Sequence, residues 1–187
     1  MKVLLIDFYD SFTFNLAHYL EGMDLQLEVL RYDALTERAL QSADAFILSP
    51  GPGLPSEKSG LNSLLETWVG KKPILGVCLG MQALVEHLGG SLVNQHQVKH
   101  GVSEKITILN REGLFRYLPI EMEVGLYHSW KVNCPSAWIS AKSAEGVPMA
   151  IELPELKVYG VQFHPESVMT PHGKEILRNF IQIAQHG

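Results

Sequence analysis

The amino-acid sequence predicts an α/β fold in which a mixed, mostly parallel sheet carries helices on both faces. Three apolar runs in the first half, at residues 3–6, 45–48 and 74–77, have the length and composition of fully buried strands. Stretches with helical spacing of apolar residues separate them. Strands that alternate with helices form parallel sheets, because two parallel neighbours need a crossover connection.

The first strand leads through a polar loop into an amphipathic helix. Apolar residues recur at helical spacing after Asp7. Asp10 or Ser11 is expected to cap the start of this helix, and Gly22 is expected to end it in the left-handed conformation. The alternating run at 25–30 then predicts a second strand.

The second half of the chain is richer in strand. Five short runs predict strands there, at 105–109, 121–126, 138–143, 149–153 and 158–161. Thr170 and Pro171 are expected to open a last helix, with the proline at its first position. With 187 residues and no repeat or linker, the sequence predicts one domain that spans residues 1–187.

Composition and charge are those of a soluble globular protein. Hydrophobic residues make up 46% and charged residues 19% of the chain, and the formal net charge is -5. The negative charge disfavours nucleic acid as a partner. Only four consecutive apolar residues precede Asp7, too few for a secretory signal or a membrane span, so we expect a cytoplasmic protein with no membrane contact. The two cysteines, Cys78 and Cys134, do not suggest a disulfide framework.

Cys78 stands at the junction of a predicted strand and a predicted helix. It follows the strand at 74–77, lies between Gly76 and Gly80, and precedes a run whose apolar residues share one helical face. Small flanking residues let a chain take the sharp turn of a nucleophile elbow. The partial positive charge of a helix N-terminus favours the thiolate form of such a cysteine. Cys78 is therefore a candidate nucleophile, although a buried cysteine that only fills space fits this local pattern equally well.

A base and an orienting group come from a second segment near the end of the chain. The strand at 158–161 runs towards His164, Pro165 ends the ladder, and Glu166 lies two residues beyond the histidine. In a Cys-His-Glu triad, His164 takes the thiol proton and hands it to the leaving amine, while Glu166 holds the imidazole in the required tautomer. The predicted catalytic residues are Cys78, His164 and Glu166.

A loop rich in proline and glycine follows the buried strand at 45–48. It reads Ser-Pro-Gly-Pro-Gly-Leu-Pro over residues 49–55 and leaves the same carboxyl edge of the sheet as the cysteine. Ligands of α/β proteins bind at such edges. The N–H groups of Gly51 and Gly53, with that of Leu79, can receive an oxyanion. Pro-Gly pairs also occur in ordinary surface turns, so the loop is informative only together with the cysteine turn.

Together the three segments resemble the class I, or triad-type, glutamine amidotransferases. The motifs that carry the resemblance are Ser-Pro-Gly-Pro-Gly at 49–53, Gly-Val-Cys-Leu-Gly-x-Gln at 76–82 and Gln-Phe-His-Pro-Glu at 162–166. The opening segment at 7–16 also resembles the start of those members that serve chorismate-using synthases. The resemblance implies a flavodoxin-like core and hydrolysis of L-glutamine to glutamate and ammonia, with no cofactor and no metal.

The resemblance also implies which residues hold glutamine. They are Gly51, Pro52, Gly53, Leu79, Gln82, Ser129 and Trp130, the last two through their backbone. Trp130 stands where related subunits usually have leucine, and Phe8 stands where asparagine is usual. Since the contact expected at Trp130 is through the backbone, glutamine binding is expected to survive that difference.

The partner that the resemblance implies is a separate chorismate-binding synthase subunit, because nothing in the chain resembles a domain that binds an ammonia acceptor. Anthranilate synthase is the leading interpretation, with aminodeoxychorismate synthase or a subunit shared by both as the alternative. Val102 stands where lysine is frequent in a segment near the partner, which leaves this choice open, and the neighbouring His100 is expected to be a surface group. A stand-alone γ-glutamyl hydrolase and an inactive regulatory relative are weaker interpretations, opposed by Gln82 and by the intact triad.

Overall fold

The expected alternation of strands and helices is present in the computed structural model, which describes residues 1–186 and, for residues 96–98, the backbone only. Residue 187, the last of the expected domain, lies outside the described residues. The strands are β1 (Lys2–Asp7), β2 (Gln26–Arg31), β3 (Ala45–Leu48), β4 (Ile74–Val77), β5 (Ser91–Ile108), β6 (Glu121–Asn133), β7 (Ile139–Ser143), β8 (Pro148–Leu153) and β9 (Val158–Val161). The α-helices are α1 (Thr13–Glu21), α2 (Glu37–Ser42), α3 (Leu61–Trp68), α4 (Leu79–His87) and α5 (Gly173–His186).

All nine of these strands belong to one mixed sheet. Their order is β2-β1-β3-β4-β9-β8-β7-β5-β6. The five strands from β2 to β9 run parallel, and the remaining pairings, from β9 outward to β6, are antiparallel. The carboxyl ends of β1, β3, β4 and β9 therefore meet at one edge of the sheet, where the predicted site residues follow them.

Helices cover both faces of the sheet, as predicted. Alternate residues of β1 point to opposite faces, so Val3 and Leu5 contribute to one apolar cluster and Leu4 and Ile6 to the other. The first cluster includes buried residues of α1 and α5, and the second includes buried residues of α2, α3 and α4. Because neither face of the central strands meets water, those strands are apolar throughout. Within residues 1–186, every helix falls short of the length and apolar character that crossing a membrane requires.

The antiparallel part of the sheet differs most from the sequence prediction. β5 begins at residue 91 instead of 105, and β6 continues to residue 133 instead of 126. The two strands pair along this whole length, with register shifts between Asn94 and Lys99 and between His100 and Val102. These irregularities and the polar residues around them interrupt the alternation on which the sequence prediction depended.

Three expected helix ends were also wrong in detail. Gly22 has a φ of -78°, so α1 ends without a left-handed residue. Asp10 accepts the Phe12 N–H at 2.7 Å, which places its cap in the turn before α1 and leaves the helix itself without a side-chain cap. At the other end of the chain, Gly173 donates its N–H to Thr170 and α5 begins only there, so Pro171 lies in the preceding turn.

Glu152 is a buried carboxylate on β8 that does not belong to the predicted site. Its Oε2 accepts the Leu114 N–H at 3.1 Å, whereas its Oε1 has no hydrogen-bond partner among residues 1–186. Burial raises the pKa of Glu152 to about 7, because desolvation of the charged carboxylate outweighs the opposing effects of the Leu114 N–H and the Ser140 hydroxyl. A proton is thus bound more tightly in the folded chain than in the unfolded one.

Replacing this carboxylate by an amide is expected to stabilise the protein above neutral pH. The stability linked to Glu152 is fully present below its unfolded pKa, near 4.5, and is lost as the pH rises through about 7. Glu152→Gln keeps an oxygen for Leu114, so its free energy of unfolding should exceed that of the wild type by up to about 3 kcal/mol at pH 8. Urea unfolding at pH 5 and 8 measures this difference in the free energy of unfolding, which should be smaller at pH 5. Glu155→Gln, at an exposed position, is the control. Equal effects of the two substitutions would refute a raised pKa of Glu152.

Candidate active site

Cys78 occupies a sharp turn between β4 and α4. Its N–H donates to Val161 at 2.8 Å, continuing the pairing of β4 with β9, while its carbonyl accepts the Gln82 N–H at 3.0 Å, the first bond of α4. One residue therefore completes both the strand and the helix, and its backbone takes φ 52° and ψ -104°. Such angles are unfavourable for a residue with a side chain and persist only where the surroundings impose them. The predicted sharp turn from strand to helix is present at this position.

Two glycines permit this turn by letting backbones approach closely. A Cβ at Gly76 would lie 2.3 Å from the carbonyl carbon of Gly80, and a Cβ at Gly80 would lie 2.5 Å from the Leu48 carbonyl oxygen. Neither backbone neighbour can move without displacing β3 or α4. The spacing Gly-x-Cys-x-Gly is thus a packing requirement of the elbow, and it directs the cysteine side chain away from the crowded interior of the turn.

The strain at Cys78 is expected to make a glycine variant more stable than an alanine variant, the reverse of the usual order in a helix. In a helix interior, glycine is less favourable than alanine by about 1 kcal/mol, so Ala83→Gly in α4 should destabilise the chain by that amount. At residue 78 the positive φ favours glycine, so Cys78→Gly should be more stable than Cys78→Ala by about 1 kcal/mol. Thermal unfolding of the three variants measures this; a Cys78→Ala variant as stable as Cys78→Gly would contradict a strained elbow.

His164 and Glu166 form a buried pair at the same edge of the sheet. The imidazole Nδ1 lies 2.6 Å from Glu166 Oε1, and both residues are only 2% exposed. The His164 backbone is fixed on two sides, because its N–H donates to Gly125 of β6 at 3.0 Å and its carbonyl accepts the Thr170 hydroxyl at 2.7 Å. The histidine is thus held by the β6 strand and by the turn that precedes α5.

The charges around His164 favour its protonated form. Burial by itself lowers the pKa of His164, but the neighbouring Cys78 sulfur and the Glu166 carboxylate outweigh burial and raise that pKa to about 10. The Nε2 atom is buried and has no hydrogen-bond partner in the described part of the chain. The raised pKa favours the imidazolium, in which Nδ1 donates to Glu166 and Nε2 is left for proton exchange.

Two aromatic rings enclose His164. Its ring is 4.8 Å from that of Tyr127 and 5.6 Å from that of Phe12, and both contacts are edge-to-face. Tyr127 also contacts His100, which is exposed as expected. Neither ring was predicted from the sequence, because Phe12 lies in the turn before α1, Tyr127 lies on β6, and nothing in either segment indicates a neighbour near residue 164. Their apolar edges exclude water from the imidazole and limit its rotation.

The loop at 49–53 is anchored to the first strand's end. The Ser49 hydroxyl accepts the Phe8 N–H at 2.9 Å and donates to the Pro50 carbonyl at 2.6 Å. A Cβ at Gly51 would lie 2.6 Å from Phe8 Cβ and 3.6 Å from a methyl carbon of Leu79, so the loop contacts both segments. Phe8, the difference noted from related subunits, is fully buried and serves as the floor of this loop. Pro52 and Gly53 follow on the exposed side.

Gln82 and Trp130 are joined by a hydrogen bond, although 48 residues separate them. Gln82 Nε2 donates to the Trp130 carbonyl at 3.3 Å and also reaches Gln162 Oε1 at 3.2 Å. The same carbonyl lies 2.8 Å from Nδ1 of the buried His128. The Trp130 oxygen therefore already has two polar contacts within the protein. Ser129 lies between these residues on β6 and is half-buried.

The structure brings the predicted residues from four segments to one edge of the sheet. Cys78 and His164 are neighbours there, Glu166 supports His164, Gln82 contacts Trp130, and Gly51 lies against Leu79. The arrangement suits nucleophilic attack by a thiolate on a carbonyl carbon, with a histidine as acid and base. Among residues 1–186 no cluster of His, Cys, Asp and Glu suits a metal ion. Both cysteines are free thiols.

Comparison with known proteins identifies the family to which this chain belongs. Residues 4–184 match the family model described as glutamine amidotransferase class-I. Anthranilate synthase component 2 of Lactococcus lactis is 40% identical over 184 residues, covering 96% of this chain and 93% of its own length. Aminodeoxychorismate/anthranilate synthase component 2 of Bacillus subtilis is 40% identical over 188 residues, covering 96% and 95%.

A solved structure shares the fold over the whole chain. The crystal structure of a glutamine amidotransferase from Thermotoga maritima superimposes with a TM-score of 0.79 at 16% identity, covering 100% of this chain and 99% of that one. At this level of identity the likeness concerns the fold.

Proposed function

The chain belongs to the class-I glutamine amidotransferases, and from this premise we propose that it is the glutaminase subunit of a chorismate-using synthase, with residues 1–187 as its amidotransferase domain. It hydrolyses L-glutamine through Cys78, His164 and Glu166 and delivers ammonia to a separate subunit that binds chorismate. We take that partner to be the synthase component of anthranilate synthase, in tryptophan biosynthesis, and we place the complex in the cytoplasm. The buried His164–Glu166 pair beside the strained Cys78 turn carries this proposal.

In the first half of the reaction, the Cys78 sulfur attacks the side-chain amide carbon of glutamine. The C–S bond forms and the carbonyl oxygen becomes an oxyanion, for which the N–H groups of Leu79 and Gly51 are the proposed donors. The protonated His164 then gives its Nε2 proton to the amide nitrogen, and the C–N bond breaks with release of ammonia. Cys78 is left as the thioester of glutamate.

In the second half, water hydrolyses the thioester. His164, now neutral, takes a proton from the attacking water, and the C–S bond breaks to release glutamate and regenerate the thiolate. Glu166 stays bonded to Nδ1 throughout and stabilises the imidazolium whenever it forms. Residues Gly51, Pro52, Gly53, Leu79, Gln82, Ser129 and Trp130 are proposed to hold the substrate.

The names of the relatives support a synthase partner and leave two candidates. The Lactococcus lactis protein is an anthranilate synthase component, whereas the Bacillus subtilis protein is named for both aminodeoxychorismate and anthranilate synthases. The second name is a specific reason to keep aminodeoxychorismate synthase, or service to both enzymes, as the alternative. Both partners bind chorismate, so the glutaminase chemistry is the same in either case.

Reconstitution with each candidate synthase subunit tests the proposal. The complex should form its product from chorismate and glutamine, and Cys78→Ser should reduce the glutamine-dependent rate about a thousandfold or more, because the hydroxyl is a much weaker nucleophile. The same variant should still support synthesis when ammonium chloride replaces glutamine. Product fluorescence distinguishes anthranilate from aminodeoxychorismate. Failure with both synthases, or undiminished glutamine use by Cys78→Ser, would refute the proposed function.

The role of Glu166 predicts a change in rate and in pH dependence. Glu166→Gln keeps an oxygen for Nδ1–H but removes the negative charge, so the pKa of His164 should fall. Glutaminase kcat is expected to drop about 100- to 1,000-fold, and the alkaline loss of activity should begin at a lower pH than in the wild type. Steady-state kinetics from pH 6 to 10 measure both effects, with Glu155→Gln as a charge-matched control on the surface. An unchanged pH profile would exclude the proposed support of the imidazolium.

A further inference from the structure

Gln162 is a fully buried amide that contacts the sulfur of Cys78. It lies one residue beyond β9 and two before His164. Its Nε2 donates to Cys78 Sγ at 3.5 Å, and its Oε1 accepts from Gln82 Nε2 at 3.2 Å. Neither the mechanism above nor the set of residues predicted from the sequence uses this side chain, although it touches the reacting atom.

The orientation of the Gln162 amide follows from the Trp130 carbonyl, to which it is connected through Gln82. The Trp130 carbonyl can only accept, so the nitrogen of Gln82 must face it. That same nitrogen reaches Gln162, so Gln162 must present its oxygen to Gln82. The remaining end of the Gln162 amide, its nitrogen, then faces the sulfur. The direction of the N–H towards Cys78 is thereby set by a backbone atom of β6.

His128 also contacts the Trp130 carbonyl oxygen. Its Nδ1 lies 2.8 Å from the Trp130 carbonyl, and burial is the main reason that the pKa of His128 is lowered, which keeps the ring neutral. The same Nδ1 also lies 2.8 Å from Gln95 Nε2, so the ring is positioned between the Trp130 carbonyl and the Gln95 amide. The network from the Trp130 carbonyl through Gln82 and Gln162 to Cys78 therefore consists of neutral groups, and the carbonyl sets the direction of its donors.

We propose that Gln162 is a catalytic residue of the glutaminase, whose amide N–H stabilises negative charge on the Cys78 sulfur. The inference rests on the proposed function and adds a donor to it. The donor acts at two points: it favours the thiolate before attack on glutamine, and it stabilises the sulfur as a leaving group from the thioester. An N–H bond to a charged acceptor is stronger than one to a neutral acceptor, so its effect is largest where the sulfur is anionic.

At the second of these points, the Cys78 sulfur leaves the thioester. Water bonds to the thioester carbon and passes one proton to neutral His164, which gives a tetrahedral intermediate with a negatively charged oxygen. The intermediate collapses, the C–S bond breaks, and its electron pair goes to sulfur, which becomes a thiolate opposite the His164 imidazolium. The N–H of Gln162 points at the atom that receives this pair.

Two substitutions of Gln162 separate a donor from a space-filling residue. Gln162→Met fills a similar volume without a donor. Gln162→Glu keeps the shape and an oxygen for Gln82 while removing the N–H, which makes it the safer variant if methionine perturbs folding. Val158→Ala, at the other end of β9, is the matched control for loss of packing around the same strand.

The rate of Cys78 alkylation by iodoacetamide is the readout that does not depend on turnover. Mass spectrometry of the Cys78 peptide excludes a contribution from Cys134. Gln162→Met should lower the alkylation rate at pH 7 about tenfold, and Gln162→Glu by more, with both rates converging towards that of the wild type at alkaline pH, where an ordinary thiol, with a pKa of about 8.5, ionises without a donor. Val158→Ala should leave the pH profile unchanged. Glutaminase kcat should fall at least as much as alkylation, with a smaller change in KM.

The outcomes distinguish this inference from the proposed function. If both Gln162 variants keep the wild-type alkylation profile while wild-type Cys78 is reactive and required for glutamine hydrolysis, the donor role is wrong and the function stands. A uniform loss of alkylation at every pH, equal to that of Val158→Ala, also refutes the donor role. If wild-type Cys78 reacts no faster than Cys134 and glutamine is not hydrolysed in the reconstituted complex, the proposed function itself fails.

Discussion

The positive backbone angle at Cys78 is the constraint from which the rest of the site follows. A residue with this conformation costs about 1–3 kcal/mol, and the fold must supply that energy elsewhere. It does so by bonding the cysteine N–H to Val161 and its carbonyl to Gln82, and by removing the side chains that would collide at Gly76 and Gly80. Strand and helix thus meet without an intervening loop, and the sulfur stands at the end of the sheet with 7% of the residue exposed.

The parallel pairing of β4 with β9 converts this local turn into a catalytic arrangement. Val77 pairs with Val161, so Cys78 leaves one strand beside the point where the chain continues from the other strand towards His164. A shift of one residue in this register would turn the proposed catalytic side chains to the wrong face of the sheet. The buried Val and Ile residues of both strands therefore help to fix the geometry of the chemistry as well as the stability of the core.

The sequence was sufficient for the features that depend on short segments. The central strands, the sharp turn at Cys78, the His164–Glu166 pair and the loop at 49–53 each have a local signal in apolar runs, glycine spacing or a strand-ending proline. The features it did not reveal depend on pairing between distant strands. The long β5–β6 ribbon is polar and irregular, so its extent and its contacts with the site could not be read from periodicity. Tyr127, His128 and the Trp130 carbonyl reach the site only because β6 packs against the segment that follows β9, where Gly125 accepts the His164 N–H.

The polar groups next to the triad are neutral for an energetic reason. A lysine or arginine beside Cys78 would also favour a thiolate, but burying a second cation near protonated His164 would cost free energy through desolvation and repulsion. Amides avoid both costs, because they orient partial charge without adding net charge. An amide group can, however, rotate by 180° and exchange the positions of its oxygen and nitrogen. The orientation of Gln162 is therefore fixed by Gln82, and that of Gln82 by the Trp130 carbonyl, which can only accept. The directionality of the site therefore originates in the backbone of β6, a strand at the far edge of the sheet.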